Sequence, residues 1–147
     1  MRFVRKMSVL VLWLLATLAM KVSADEPPYT EGQVVNVTFV RIKSGGDEKY
    51  MKFLATQWKS LMEAAQKDNL ILSYRVFSSP ASTRDDWNLM LMVEYKNMSV
   101  FDGLDAKFRA IMEKQIGSME KADEQAGKRE EIREILGDKL ARELILK

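Results

Sequence analysis

The chain has 147 residues, no cysteine or histidine, and 23 basic against 21 acidic side chains. Lacking those two residue types, it cannot build the common zinc, haem or copper sites, a reactive thiol or a Ser-His-Asp triad. Near-balanced charge with no basic stripe gives no general attraction to phosphate backbones, so nucleic acid is not an expected partner.

Residues 1–24 have the three zones of a signal peptide. Arg2, Arg5 and Lys6 precede an apolar run from Met7 to Met20, and Val22-Ser23-Ala24 follows. The run is too short to span a bilayer, which takes about 20 residues. Cleavage before Asp25 is therefore expected, with no stable membrane anchor left. The product is expected in a bacterial periplasm or outside the cell. Removing four basic residues leaves 19 against 21 acidic ones. A small exported domain without disulfides must rely on packing or association.

Residues 25–33, with Pro27 and Pro28, read as an extended leader, and the folded domain is expected over 34–147. The β-branched run VVNVTFVRIK (34–43), closed by Gly45-Gly46, predicts strand one. From Asp47 to Asp68, Tyr50, Leu54, Trp58, Leu61 and Ala65 recur at helical spacing, and Met51, Ala55 and Met62 widen that face. Asn69 suits a left-handed stop. LILSYRVF (70–77) predicts strand two, and WNLMLMVEYK (87–96) strand three; SSPASTRDD between them is turn chemistry, giving a hairpin.

Ser99 with Asp102 resembles a capping box ahead of a second helix traced by Phe101, Leu104, Phe108, Ile111 and Met112 and ended at Gly117. Residues 118–136 predict a charged third helix, anchored by Ile132, Ile135 and Leu136, with Gly127 as a break and Gly137 as its stop. KLARELIL (139–146) fits helix or strand locally. The order strand, helix, strand, strand, helix, with a terminal strand available, is that of α+β ferredoxin-like folds, a four-stranded antiparallel sheet with helices on one face, and it favours strand at 139–146.

Alternation in strand three places Trp87, Leu89, Leu91, Val93 and Tyr95 under the helices and Asn88, Met90, Met92, Glu94 and Lys96 on the other face. Strand two divides likewise, and its second face (Ile71, Ser73, Arg75, Phe77) is partly apolar. A homodimer covering that face is the economical expectation.

The strand VVNVTFVRIK, the helix holding Trp58, WNLMLMVEYK running into NMSVFDGLDAKF, and the closing REILGDKLAREL together resemble the dimeric α+β barrel superfamily of antibiotic-monooxygenase and NIPSNAP-like proteins. The resemblance implies a dimer in which sheets face one another, and aromatic substrates held near helix one. Haem-degrading members use a histidine, so that activity does not carry over.

Arg75 and Glu94 are expected to pair in a polar cluster with Asn88, Thr38 and Ser73; the pair reads first as a structural ion pair that fixes register or the dimer contact, and second as a ligand-orienting site. Trp58, Trp87 and Tyr50 are candidates to line a pocket between helix one and the sheet, or simply to pack the core. The candidate ligand-binding residues are thus Trp58, Tyr74, Arg75, Trp87, Asn88 and Glu94, with no metal and no cofactor. Met90 and Met92 read as apolar filler, the sequons at Asn36 and Asn97 as accidental matches, and Arg129, Glu130, Glu131, Arg133 and Glu134 as a solvated charged face. Two functions stand. One is a binder of a small apolar or aromatic molecule, with cofactor-independent oxygenase or isomerase chemistry within its range. The other is a non-enzymatic envelope or secreted interaction module.

Overall fold

The computed structural model describes residues 26–147; the signal-peptide reading of 1–24 lies outside them. Four strands form one sheet in the order β2-β3-β1-β4, every neighbouring pair antiparallel. With helices after β1 and β3, this is the ferredoxin-like α+β fold.

β1 (Tyr29–Ile42) is longer than its β-branched run, because Tyr29–Glu31 pair with the end of β4 (Arg133–Leu146) before a bulge at Gly32 and Gln33. The leader is therefore part of the sheet from Tyr29 onward. β3 (Leu89–Tyr95) pairs with β1 and with β2 (Ser73–Ser78), completing the expected hairpin. Leu70 and Ile71, expected at the start of strand two, lie before it and are buried in the core.

Register assigns the faces. Val34, Asn36, Thr38 and Val40 of β1 lie opposite Tyr95, Val93, Leu91 and Leu89 of β3, and Tyr74 and Val76 of β2 lie opposite Val93 and Leu91. All sheet residues of the two apolar core clusters come from this face. Val34 and Val40 are fully buried, and each such aliphatic side chain contributes about 1.5–3 kcal/mol. The opposite face carries Val35, Val37 and Phe39 beside Met90, Met92 and Glu94, then Ser73, Arg75 and Phe77.

One helical rod follows β1: α1 (Asp47–Phe53), a π-helical segment (Leu54–Trp58) and α2 (Lys59–Lys67). Tyr50, Leu54, Met62 and Ala65 are buried as their spacing predicts, whereas Met51 and Ala55 face solvent. The π turn widens the helix by a residue and offsets the apolar stripe, so the face is narrower than a regular 3.6-residue period suggests. Asn69 closes the rod at φ 56.

After β3, Asn97 rather than Ser99 caps the chain: its side chain accepts from the Ser99 backbone N–H at the start of a 3₁₀ turn (Met98–Phe101). α3 (Leu104–Ile116) buries Leu104 and Ile111 and ends at Gly117, whose φ of 100 few other residues adopt. Ser118 caps α4 (Met119–Glu130), accepting from the Lys121 N–H. Gly127 does not interrupt α4, and the helix stops six residues earlier than its charge pattern suggests. Ile132 joins the core, while Ile135 and Leu136 already belong to β4. Gly137, expected as a helix stop, sits in that strand opposite Phe39. Residues 139–146 are strand, as the fold order favoured.

Candidate ligand-binding groove

The structure joins part of the polar cluster. Arg75 and Glu94 form a salt bridge and the Ser73 hydroxyl donates to the same carboxylate, all on the face away from the helices. In the single chain Arg75 is 53% exposed and Glu94 16%. Thr38 is not in this cluster. Register turns it to the helix side, where its hydroxyl donates to Asp138 of β4. Asn88 is elsewhere too: its amide oxygen accepts from Ile42 N–H at 2.8 Å and its amide nitrogen donates to Ile42 O at 3.3 Å. It mimics a strand partner at the end of β1 and lines a shallow depression with Met51, Val76 and Pro80.

That substitution changes the course of the chain at Trp87. Instead of joining Leu89 and Leu91 beneath the helices, Trp87 meets Phe39 on the opposite face, ring centroids 5.7 Å apart. Trp87 is therefore apart from Trp58 and Tyr50, which pack into the same core cluster rather than lining one pocket. Trp58 packs edge-on against Tyr74 at 5.3 Å, and Tyr50 stacks on Phe53 at 5.7 Å.

The concave site lies between helices. A groove of about 520 Å³ runs between the π segment with α2 on one side and the α3–α4 hairpin on the other. Trp58, Leu61, Met112, Ile116 and Met119 give it an apolar lining, and Ala122 and Ala126 leave room along α4. The π turn matters here, because it brings Thr56, Gln57 and Trp58 together on the groove side. Gln115 of α3 donates to the Ser60 carbonyl at 3.0 Å, tying the walls together. The volume lies within the range of small-molecule sites.

Arg129 supplies the cationic end. Its guanidinium lies 4.3 Å from the Phe53 ring centroid, and Arg133 lies 5.8 Å from that of Tyr50, so two cations sit over the stacked Tyr50–Phe53 pair. Neither makes a salt bridge among the described residues, and the Nε of each is buried without a hydrogen-bond acceptor. Burial, and then the adjacent Arg133 charge, lower the pKa of Arg129 from its ordinary value, but an arginine stays protonated. Burial raises the Tyr50 phenol, an effect the two arginines partly oppose. Gln125, one turn before Arg129, has a buried amide oxygen with no donor.

The sequence reading missed these groups by treating Arg129 and Arg133 as a solvated face. The available signal was the stripe Ala122, Gln125, Ala126, Arg129, which recurs at helical spacing within an otherwise charged helix. Of the six sequence candidates, only Trp58 lines the groove, with Tyr74 packed against it.

No helix among the described residues is long and apolar enough to cross a membrane. Compared with known proteins, the chain matches no family model, no curated protein and no solved structure.

Proposed function

We propose that the protein is an exported homodimer that binds a small apolar or aromatic molecule in the groove between the first helical rod and the α3–α4 hairpin. The observation that carries the reading is a groove of about 520 Å³ in which Trp58, Leu61, Met112, Ile116 and Met119 form an apolar strip and Arg129 is the cationic group of the lining. An apolar strip flanked by polar side chains holds a ligand by burial and orients it by hydrogen bonds. Binding is better supported than turnover. The Thr56 hydroxyl in the lining donates to its own helix at Lys52 O, 2.7 Å away, and no histidine or thiol is present to activate a nucleophile.

The test is titration of the mature chain, from Asp25 onward, with the neutral dye Nile red, followed by its emission and by quenching of tryptophan. Saturable binding that Leu61→Trp, which fills the groove, abolishes while circular dichroism stays unchanged is the expected result. Binding unaffected by that substitution places the ligand elsewhere and removes the reading.

Dimerisation rests on a different observation. On the helix-free face Phe77 is exposed and Val35, Val37, Phe39, Met90 and Met92 are only partly buried, and the edge strand β4 leaves Leu140, Leu144, Ile145 and Leu146 about half exposed or more, Leu140 on the helix side opposite Asn36. Apolar surface of that extent is usual at contacts between chains, and a second copy covering the sheet is the arrangement of dimeric α+β barrels. Sedimentation of the mature chain at micromolar concentration should give a dimer; a well-folded monomer contradicts it.

A further inference from the structure

Resting on the groove as the binding site, we infer that its ligand carries a carboxylate, which Arg129 binds at one end of the groove while the apolar body lies along Trp58, Leu61 and Met112. Arg129 lines the groove, sits over Phe53, and has a buried Nε–H with no acceptor. A buried donor without a partner is costly, and a guanidinium fork matches a planar carboxylate in two parallel hydrogen bonds. Arg133 adds to the case: its positive charge lies close enough to lower the basicity of Arg129. Two like charges held together over aromatic rings repel each other, and an anion on Arg129 at the end of the groove relieves that repulsion. The free Gln125 oxygen, one helical turn away, accepts from a hydroxyl or an acid proton on the same ligand. Asp123, the acidic residue of the lining, is exposed and sits on α4 well before Arg129 in the helical turn order, so it does not neutralise the guanidinium.

A single arginine selects for charge rather than shape, which a matched pair of ligands separates. 2-Naphthoate and 2-naphthalenemethanol have the same ring and nearly the same size, and differ in the anion. The mature chain should bind naphthoate at least about tenfold more tightly, the range of one charged hydrogen-bonded contact. Arg129→Gln should remove that preference, the naphthoate losing about tenfold more affinity than the alcohol, and an unchanged circular dichroism spectrum with saturable Nile red binding shows that the variant still folds and keeps its groove. Arg129→Lys should restore part of it, since charge returns without the fork. Equal binding of the two ligands by the parent chain, or a preference that survives Arg129→Gln, overturns the carboxylate inference and leaves the groove standing. Binding of neither ligand, together with failure of the neutral dye, overturns the groove itself.

Discussion

Of the groove's two walls, the rod α1–α2 sinks Tyr50, Leu54, Met62 and Ala65 into the core, whereas in the α3–α4 hairpin α3 buries Leu104 and Ile111 but α4, its outer half, buries Ala122 alone. The first wall cannot come away without exposing the apolar clusters beneath the sheet. In the second, α4 is held by Ser118, by the arginine over Phe53 and by its junction with α3. Segments with few buried contacts open at free energies well below that of global unfolding. The site thus pairs a fixed surface with an adjustable one. A ligand touching both should order α4 more than it changes the rest of the molecule.

The largest effect expected on this contrast is from Leu54→Ala, which should destabilise the whole domain by about 2–5 kcal/mol in denaturant titration, because the cavity opens in the core cluster around Val40 and Leu89. A loss no greater than that of a surface change would show that the first wall is not integral to the fold. Next comes alkaline pH. Burial raises the phenols of Tyr50, on the first wall, and Tyr95, beneath the sheet, above their ordinary value near 10. A raised folded pKa means that the stabilisation is complete below the unfolded value and is lost as pH rises through the folded one. Stability should therefore fall above about pH 10, and Tyr50→Phe with Tyr95→Phe should flatten that limb of the unfolding-versus-pH curve.

On the second wall, Ser118→Ala removes the cap of α4 at a cost of about 1 kcal/mol. Hydrogen exchange of the α4 amides should accelerate about fivefold, with α1–α2 amides unchanged. Equal acceleration in both walls would show that they unfold as one unit. The smallest effect on α4 is from Phe53→Leu, which removes the ring beneath Arg129 together with its stack on Tyr50 and should weaken α4 by about 0.5–1 kcal/mol, seen as faster exchange near Arg129.

The elements that bury a regular stripe were legible in the sequence. Val34 to Val40, Leu89 to Tyr95 and the Tyr50-Leu54-Ala65 series each have one dominant period and one buried face, so pattern and packing agree. Misreadings fall where a polar side chain takes over a backbone's role. Asn88 bonds both polar groups of Ile42, and the alternation that would have placed Trp87 under the helices ends there. Between Arg129 and Leu136 the charges satisfy a helical and an extended pattern equally, and only the pairing of β4 with β1 decides where the helix stops. Arg75 with Glu94 was legible because cross-strand register brings them to one face. Arg129 was not, since a charged residue in a charged helix looks solvated until the aromatic ring beneath it is known.

The long seam between β1 and β4 bears on how the molecule forms. Arg142 and Glu31, which form a salt bridge across it, are 111 positions apart in the chain. Closing so large a loop must precede any gain from that pairing, and such topologies fold slowly. Until β4 arrives, a full edge of β1 has no hydrogen-bond partners and is open to pairing with another chain. The last stretch of sequence therefore governs the lifetime of the aggregation-prone state, and slowing its arrival should cost yield before it costs stability.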